Sequence, residues 1–107
     1  MNPNEELLIV FQKDRAACMP YFTMGYPDME ISLEIIQACA ENGADLIEIG
    51  IPFSDPLADG PTIQHSTQVA LKNGTTLASC LDGVKSLRSK GVTIPFVLMG
   101  YFNPILA

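Results

Sequence analysis

Apolar residues change their spacing several times along this chain, and each change marks an element. Residues 5–13, EELLIVFQK, place Leu7, Leu8 and Phe11 on one helical stripe, with acids in the first turn and lysine in the last, as a helix dipole prefers. Residues 16–23, AACMPYFT, read as a buried strand, and the turn MGYPD at 24–28 ends on Asp28, a residue suited to capping a helix. Ile31, Ile35, Ala38 and Cys39 then recur at helical spacing up to Asn42-Gly43, a left-handed stop. Residues 44–51 alternate. Ile47, Ile49 and Ile51 point to one face, and Leu46, Glu48 and Gly50 to the other. Pro61 fits the first turn of a helix with Ile63, Ala70 and Leu71 on its stripe, closing at Asn73-Gly74. Thr75 is the candidate cap of a further helix carrying Leu77, Leu81, Val84 and Leu87, which Gly91 stops before a third strand over 92–99. Pro95 weakens that strand, because proline removes a ladder donor.

A leading helix followed by three strands with helical crossovers predicts a parallel α/β sheet with right-handed connections. Two architectures meet that order, an open doubly wound sheet and a segment of a (β/α)8 barrel. Both place ligand chemistry at the C-terminal ends of the strands. No internal repeat or long linker interrupts the 107 residues, so one domain is expected.

Composition narrows the partners. Twelve acids against six lysines and arginines leave a net charge of −6, which disfavours nucleic acid and anionic membrane surfaces. No apolar run approaches the roughly 18 residues of a membrane span, and the start MNPNEELL is acidic rather than signal-like, so a cytoplasmic protein is expected. Cys18, Cys39 and Cys80 are widely spaced in apolar segments and are expected to be reduced core thiols.

The chemistry concentrates after the second strand. Glu48 sits inside a run of branched apolar residues, and the loop that follows brings Asp55 and Asp59 before Gly60-Pro61. On the face opposite the isoleucines, a carboxylate among apolar neighbours should be desolvated and its pKa raised, which suits proton transfer near neutrality. Asp59 alone could equally cap the next helix, and Asp55-Pro56 could be turn chemistry. Glu48 could equally be a strand-end acid reaching water or an arginine, but together Glu48 and Asp59 on one rim could serve as a general acid–base pair. A metal site is not expected, since these acids lack a nearby histidine and ligand spacing, and His65 reads as a helix-surface residue. No glycine-rich phosphate loop or nucleophile elbow is visible.

IEIGIPFSDPLADG at 47–60 strongly resembles the signature of the tryptophan synthase alpha subunit family. The resemblance extends to PYFTMGYPD at 20–28, ENGAD at 41–45, GPTIQ at 60–64 and TIPFVLMGYFNP at 93–104. It implies the N-terminal part of a (β/α)8 barrel of a lyase that cleaves indole-3-glycerol phosphate to indole and glyceraldehyde 3-phosphate. Glu48 and Asp59 match the family's catalytic acids. Tyr21, Ile63, Met99 and Tyr101 match or adjoin substrate-binding positions, and Pro52, Asp55 and Asn103 fall in segments implied to meet a partner. That partner is the beta subunit, in an alpha2-beta2 assembly. The pyridoxal phosphate of the whole enzyme is implied to belong to it, leaving this chain without a cofactor.

Length departs from the resemblance, because a complete barrel takes about 250 residues and commonly grips phosphate after strands 7 and 8. About three strands cannot close a barrel. The chain is therefore expected to be a fragment inactive alone, or to associate with a beta-like subunit or with itself. Another phosphate-handling barrel enzyme would have no need of the FSDPLADGP loop.

Overall fold

The computed structural model describes residues 3–11, 16–53 and 60–100. Asp55, Asp59, Tyr101 and Asn103 lie outside the described residues. The element order is α1 (Pro3–Phe11), β1 (Tyr21–Thr23), α2 (Met29–Glu41), β2 (Ile47–Gly50), α3 (Pro61–Lys72), α4 (Leu77–Ser89) and β3 (Phe96–Met99). Among the described residues, three strands pair in parallel in the order β1-β2-β3, and the sheet they form is not closed.

The strands are shorter than the apolar runs that contain them. Residues 16–20 and 44–46 are held by single contacts rather than a ladder: Cys18 accepts from the Asp45 amide at 2.9 Å, and the Asp45 carboxylate accepts from the Cys18 amide at 2.7 Å. Pro95 lies just before β3, where its carbonyl accepts from the Ile47 amide at 3.1 Å. Only the acceptor of that residue is used, so its missing donor costs the sheet nothing.

The core lies between the sheet and the helices α2 and α4. Ile47, Ile49 and Ile51 project from β2 and its C-terminal extension into a cluster with Met24, Ile36, Cys80, Leu87 and Val92. α2 starts on Asp28, whose carboxylate accepts from the Ile31 amide at 2.9 Å, and the chain leaves it through Gly43 at φ 104°, a region that favours glycine.

The helical stripes depart from the sequence expectation at single positions: in α4, Leu77, Val84 and Leu87 meet the core as expected and only Leu81 does not. α2 buries Ser32 and Ile36, with Met29, Leu33, Cys39 and Ala40 packed beside them, and leaves Ile31 exposed. The apolar residues of this helix satisfy more than one register. The Ser32 hydroxyl settles the choice by accepting from the Gly25 amide at 3.0 Å and donating to the Met29 carbonyl at 2.8 Å, bonds that turn its face inward. α4 buries Cys80, Gly83 and Leu87, so Leu81 faces out, and it is capped by Thr76 rather than Thr75. Thr76 and Ser79 form a reciprocal capping box, which frees Thr75 to be buried under the turn after β1. In α1, among the described side chains, Val10 is buried and Leu8 is exposed.

The cysteines also divide. Cys80 is a core thiol, Cys39 is half-buried, and Cys18 is exposed, because the short β1 begins only at Tyr21 and leaves residue 18 at the surface. Burial pushes the Cys80 thiol up to about 11 from an ordinary 9.0. The folded state therefore holds this proton more tightly than the unfolded one, so its contribution to stability is complete below pH 9.0 and is lost as pH rises through about 11. Urea midpoints across pH 8 to 11 should fall more steeply for the natural sequence than for a Cys80→Ala variant. Equal slopes would dissociate the alkaline loss from this thiol.

Among the described residues, no helix is long and apolar enough to cross a membrane.

Candidate active site at the strand ends

Parallel register determines which side chains stand together, because Cα partners in a sheet share a face. Tyr21 pairs with Glu48, and Glu48 with Val97. One step toward the C-terminal ends, Thr23 pairs with Gly50, and Gly50 with Met99. These six positions occupy the face opposite Ile47 and Ile49. Glu48 is half-buried in the middle strand and is flanked on its own row by Tyr21 and Val97. Met99 stands at the tip of β3 and is 45% exposed.

Gly50 gives this face its shape. A β-carbon there would fall 2.6 Å from Cζ of Tyr21, inside the ring's contact distance. The phenol therefore reaches from β1 across the middle strand, along the row next to Glu48. Glycine inside a strand often marks such a close approach. Gly50→Ala should displace the Tyr21 ring at a cost of about 1–3 kcal/mol, read as a lower denaturation midpoint. A second change, Tyr21→Ala, should relieve most of that loss. If the two changes simply add, the ring and the glycine are not in conflict.

The entry of α3 completes the rim. Gly60 precedes Pro61, whose missing amide hydrogen is of no consequence in a first helical turn. The Ser66 hydroxyl donates to the Ile63 carbonyl at 3.0 Å, so the Thr23 hydroxyl, 2.8 Å away, is the donor to Ser66 Oγ. This bond ties the first turns of α3 to the end of β1. Between them lies a cavity of about 170 Å³ lined by Tyr21, Phe22, Thr23, Tyr26, Thr62, Ile63 and Ser66.

Tyr21 and Ile63, both expected at the substrate, are thus brought to one cavity, and Glu48 is the register partner of Tyr21. Met99 shares their face but sits across the sheet. Pro52 is buried directly after β2, and His65 is exposed with its ring edge-on to Tyr26 at 6.2 Å. Among the described residues, no three of His, Cys, Asp and Glu converge to hold a metal ion. Sequence reasoning did not single out Tyr26 or Ser66. Tyr26 was hidden in a turn, and Ser66 carries no signal until α3 is laid against β1. Gly50 did carry one, as a glycine within a strand pattern.

A three-stranded parallel sheet with helices on one face and a carboxylate on the other, near the strand C-termini, defines a portion of a (β/α)8-barrel protein. Residues 9–107 match the family model described as tryptophan synthase alpha chain, and the chain belongs to that family. It is 55% identical over 92 residues to the tryptophan synthase alpha chain of Chloroflexus aggregans, covering 86% of this chain and 34% of that relative. It is 50% identical over 95 residues to tryptophan synthase of Saccharomyces cerevisiae, covering 89% of this chain and 13% of that one. Among solved structures, tryptophan synthase subunit alpha from Legionella pneumophila superposes with a TM-score of 0.90 at 36% identity, covering 99% of this chain and 41% of that one. The tryptophan synthase complex from Pyrococcus furiosus gives 0.79 at 47% identity, covering 85% and 37%. The chain therefore spans about a third of the length of the Chloroflexus relative.

Proposed function

We propose that the complete protein containing this chain is a lyase that cleaves indole-3-glycerol phosphate to indole and glyceraldehyde 3-phosphate. The observation that carries this reading is Glu48, half-buried on the inner face in register with Tyr21, within a chain that matches the alpha family over residues 9–107. In the retro-aldol reaction, Glu48 delivers a proton to C3 of the indole and accepts one from the adjacent glycerol hydroxyl. The bond between C3 and the glycerol carbon breaks, its electron pair returns to the ring, and the hydroxyl carbon becomes the aldehyde. Asp59 accepts a hydrogen bond from the indole N–H and stabilises the charge that develops on the ring. Tyr21 and Ile63 hold the ring from the side of β1 and α3, Met99 holds it from the side of β3, and Tyr101 is a further substrate-binding residue. The chain uses no cofactor or metal of its own in this scheme.

The segments that carry Pro52, Asp55 and Asn103 meet a beta subunit in a cytoplasmic alpha2-beta2 assembly, and the pyridoxal phosphate is held by that partner. The 107 residues by themselves are inactive in this reading, because the phosphate grip of a barrel commonly comes from later loops. A second reading applies to this chain in isolation. Its sheet is not closed, and Leu98 and Met99 are exposed on the edge strand β3, which favours association with a beta-like subunit or with another copy.

The test is indole release by the complete protein supplied with indole-3-glycerol phosphate. Asp59→Asn should slow it by about 10²-fold or more, since the amide no longer offsets positive charge on the ring. Unaltered turnover in that variant would reduce Asp59 to a helix cap.

A further inference from the structure

The turn after β1 is held more tightly than a connecting loop requires, and it carries Tyr26 to the cavity beside Tyr21 and Ile63. Three contacts hold it. The Asn73 amide group, just past α3, donates to the carbonyls of Gly25, at 3.4 Å, and Pro27. Gly25, at φ 90°, lies so close to buried Thr75 that a β-carbon would meet Thr75 Cβ at 3.0 Å. The Gly25 amide is taken by Ser32 of α2. With the backbone held on both sides of it, the Tyr26 ring packs against Phe22 at 6.4 Å and His65 at 6.2 Å.

The chemistry of the cavity defines what it receives. Its two β1–α3 hydroxyls, Thr23 and Ser66, are hydrogen-bonded to one another and onward to the Ile63 carbonyl. The remaining wall is largely aromatic and aliphatic, so an apolar group gains from entering and a polar one finds these two hydroxyls already engaged. Tyr26 stands in that wall with Tyr21 and Ile63, and Glu48 does not line the cavity. On the lyase reading, an indole ring held by Tyr21 and Ile63 would meet Tyr26 at this wall.

We propose that Tyr26 is a specificity-determining residue, limiting which ring-substituted indole-3-glycerol phosphates the site accepts, and that Asn73 is its positioning residue. This rests on the lyase reading above. Removing the phenol should enlarge the cavity toward apolar ring substituents. Breaking the Asn73 bonds should loosen the same wall without touching the ring or the acids.

The experiment compares kcat/KM for indole-3-glycerol phosphate with that for its 5-methyl analogue, using the complete protein. The ratio of the two is independent of how much enzyme is folded, so a merely structural defect leaves it unmoved. Tyr26→Ala should shift the ratio toward the methylated substrate by about tenfold, the scale of one methyl group in an apolar pocket. Asn73→Asp, which keeps the shape but removes both donated bonds, should shift it in the same direction by a smaller factor. A ratio unchanged in Tyr26→Ala overturns the proposal, and one unchanged in Asn73→Asp alone overturns the positioning role. If Asn73→Asp does not fold, Tyr26→Ala still decides the specificity role, and Asn73→Ala replaces it for the positioning role. Absence of cleavage by the natural sequence would take down the lyase reading and this inference with it, whereas cleavage with an unmoved ratio removes this inference only.

Discussion

Glu48→Gln in the complete protein should cut indole release by about 10²–10⁴ fold, the range expected when a positioned general acid–base group is lost. The amide fills the same volume on β2 and leaves the strand pairing intact, since Glu48 pairs with β1 and β3 through its backbone. What it lacks is a group that can give a proton to carbon and take one from a hydroxyl within a single turnover. Steady-state indole production measures the loss. Equilibrium binding of uncleaved substrate by the same variant should be nearly unchanged, because Tyr21 and Ile63, the residues proposed to hold the ring, are left in place. A variant that turned over like the natural sequence would return Glu48 to the role of a half-buried strand residue and leave the proposed chemistry without its acid.

Ile49→Ala should be the most damaging single change on the other face of the same strand. Ile49 is 0% exposed and lies in the cluster with Ile36, Cys80 and Leu87, beneath both packed helices. Deleting its outer carbons removes buried apolar area and leaves a void that the middle strand cannot close, because β2 is paired on both sides. The expected cost is about 2–5 kcal/mol, measured as a shift of the urea midpoint at constant slope. Against a typical total of about 5–15 kcal/mol, that loss is a large share of the stability. A much smaller shift would mean that α2 and α4 slide to refill the site. Glu48 and Ile49 are adjacent in sequence, and the two substitutions should separate activity from stability: one cuts turnover at nearly full stability, the other weakens the scaffold with its acid in place.

Much of the fold was legible because its signals are local. Asp28 caps α2, Gly43 ends it, Pro61 opens α3, and the alternation in β2 divides isoleucines from Glu48. Each depends on the backbone preferences of a few neighbouring residues. The exposed Ile31, Leu81 and Leu8 were misassigned for the converse reason. Apolar periodicity narrows a helix to two or three registers, and the packing partner chooses among them. For α2 that choice follows from Ser32, a polar residue that no hydrophobic pattern would place in a core. Thr75 and Thr76 show the same limit, since either threonine caps a helix in sequence terms and only the close approach of Gly25 consigns the first to the interior.

At the site, the one-dimensional string was enough to place an acid on the open face of the middle strand and to connect the chain with its family, because strand alternation and a contiguous motif are both read in order along the backbone. It could not show that the Tyr21 ring crosses Gly50, that Ser66 is tied to Thr23, or that Asn73 holds the turn bearing Tyr26. Those pairs are separated by 29, 43 and, for the two Asn73 bonds, 48 and 46 positions. Contacts at such distances exist only once strands have paired and helices have packed, since it is the parallel register and the crossover path, rather than any local preference, that bring the two backbones together.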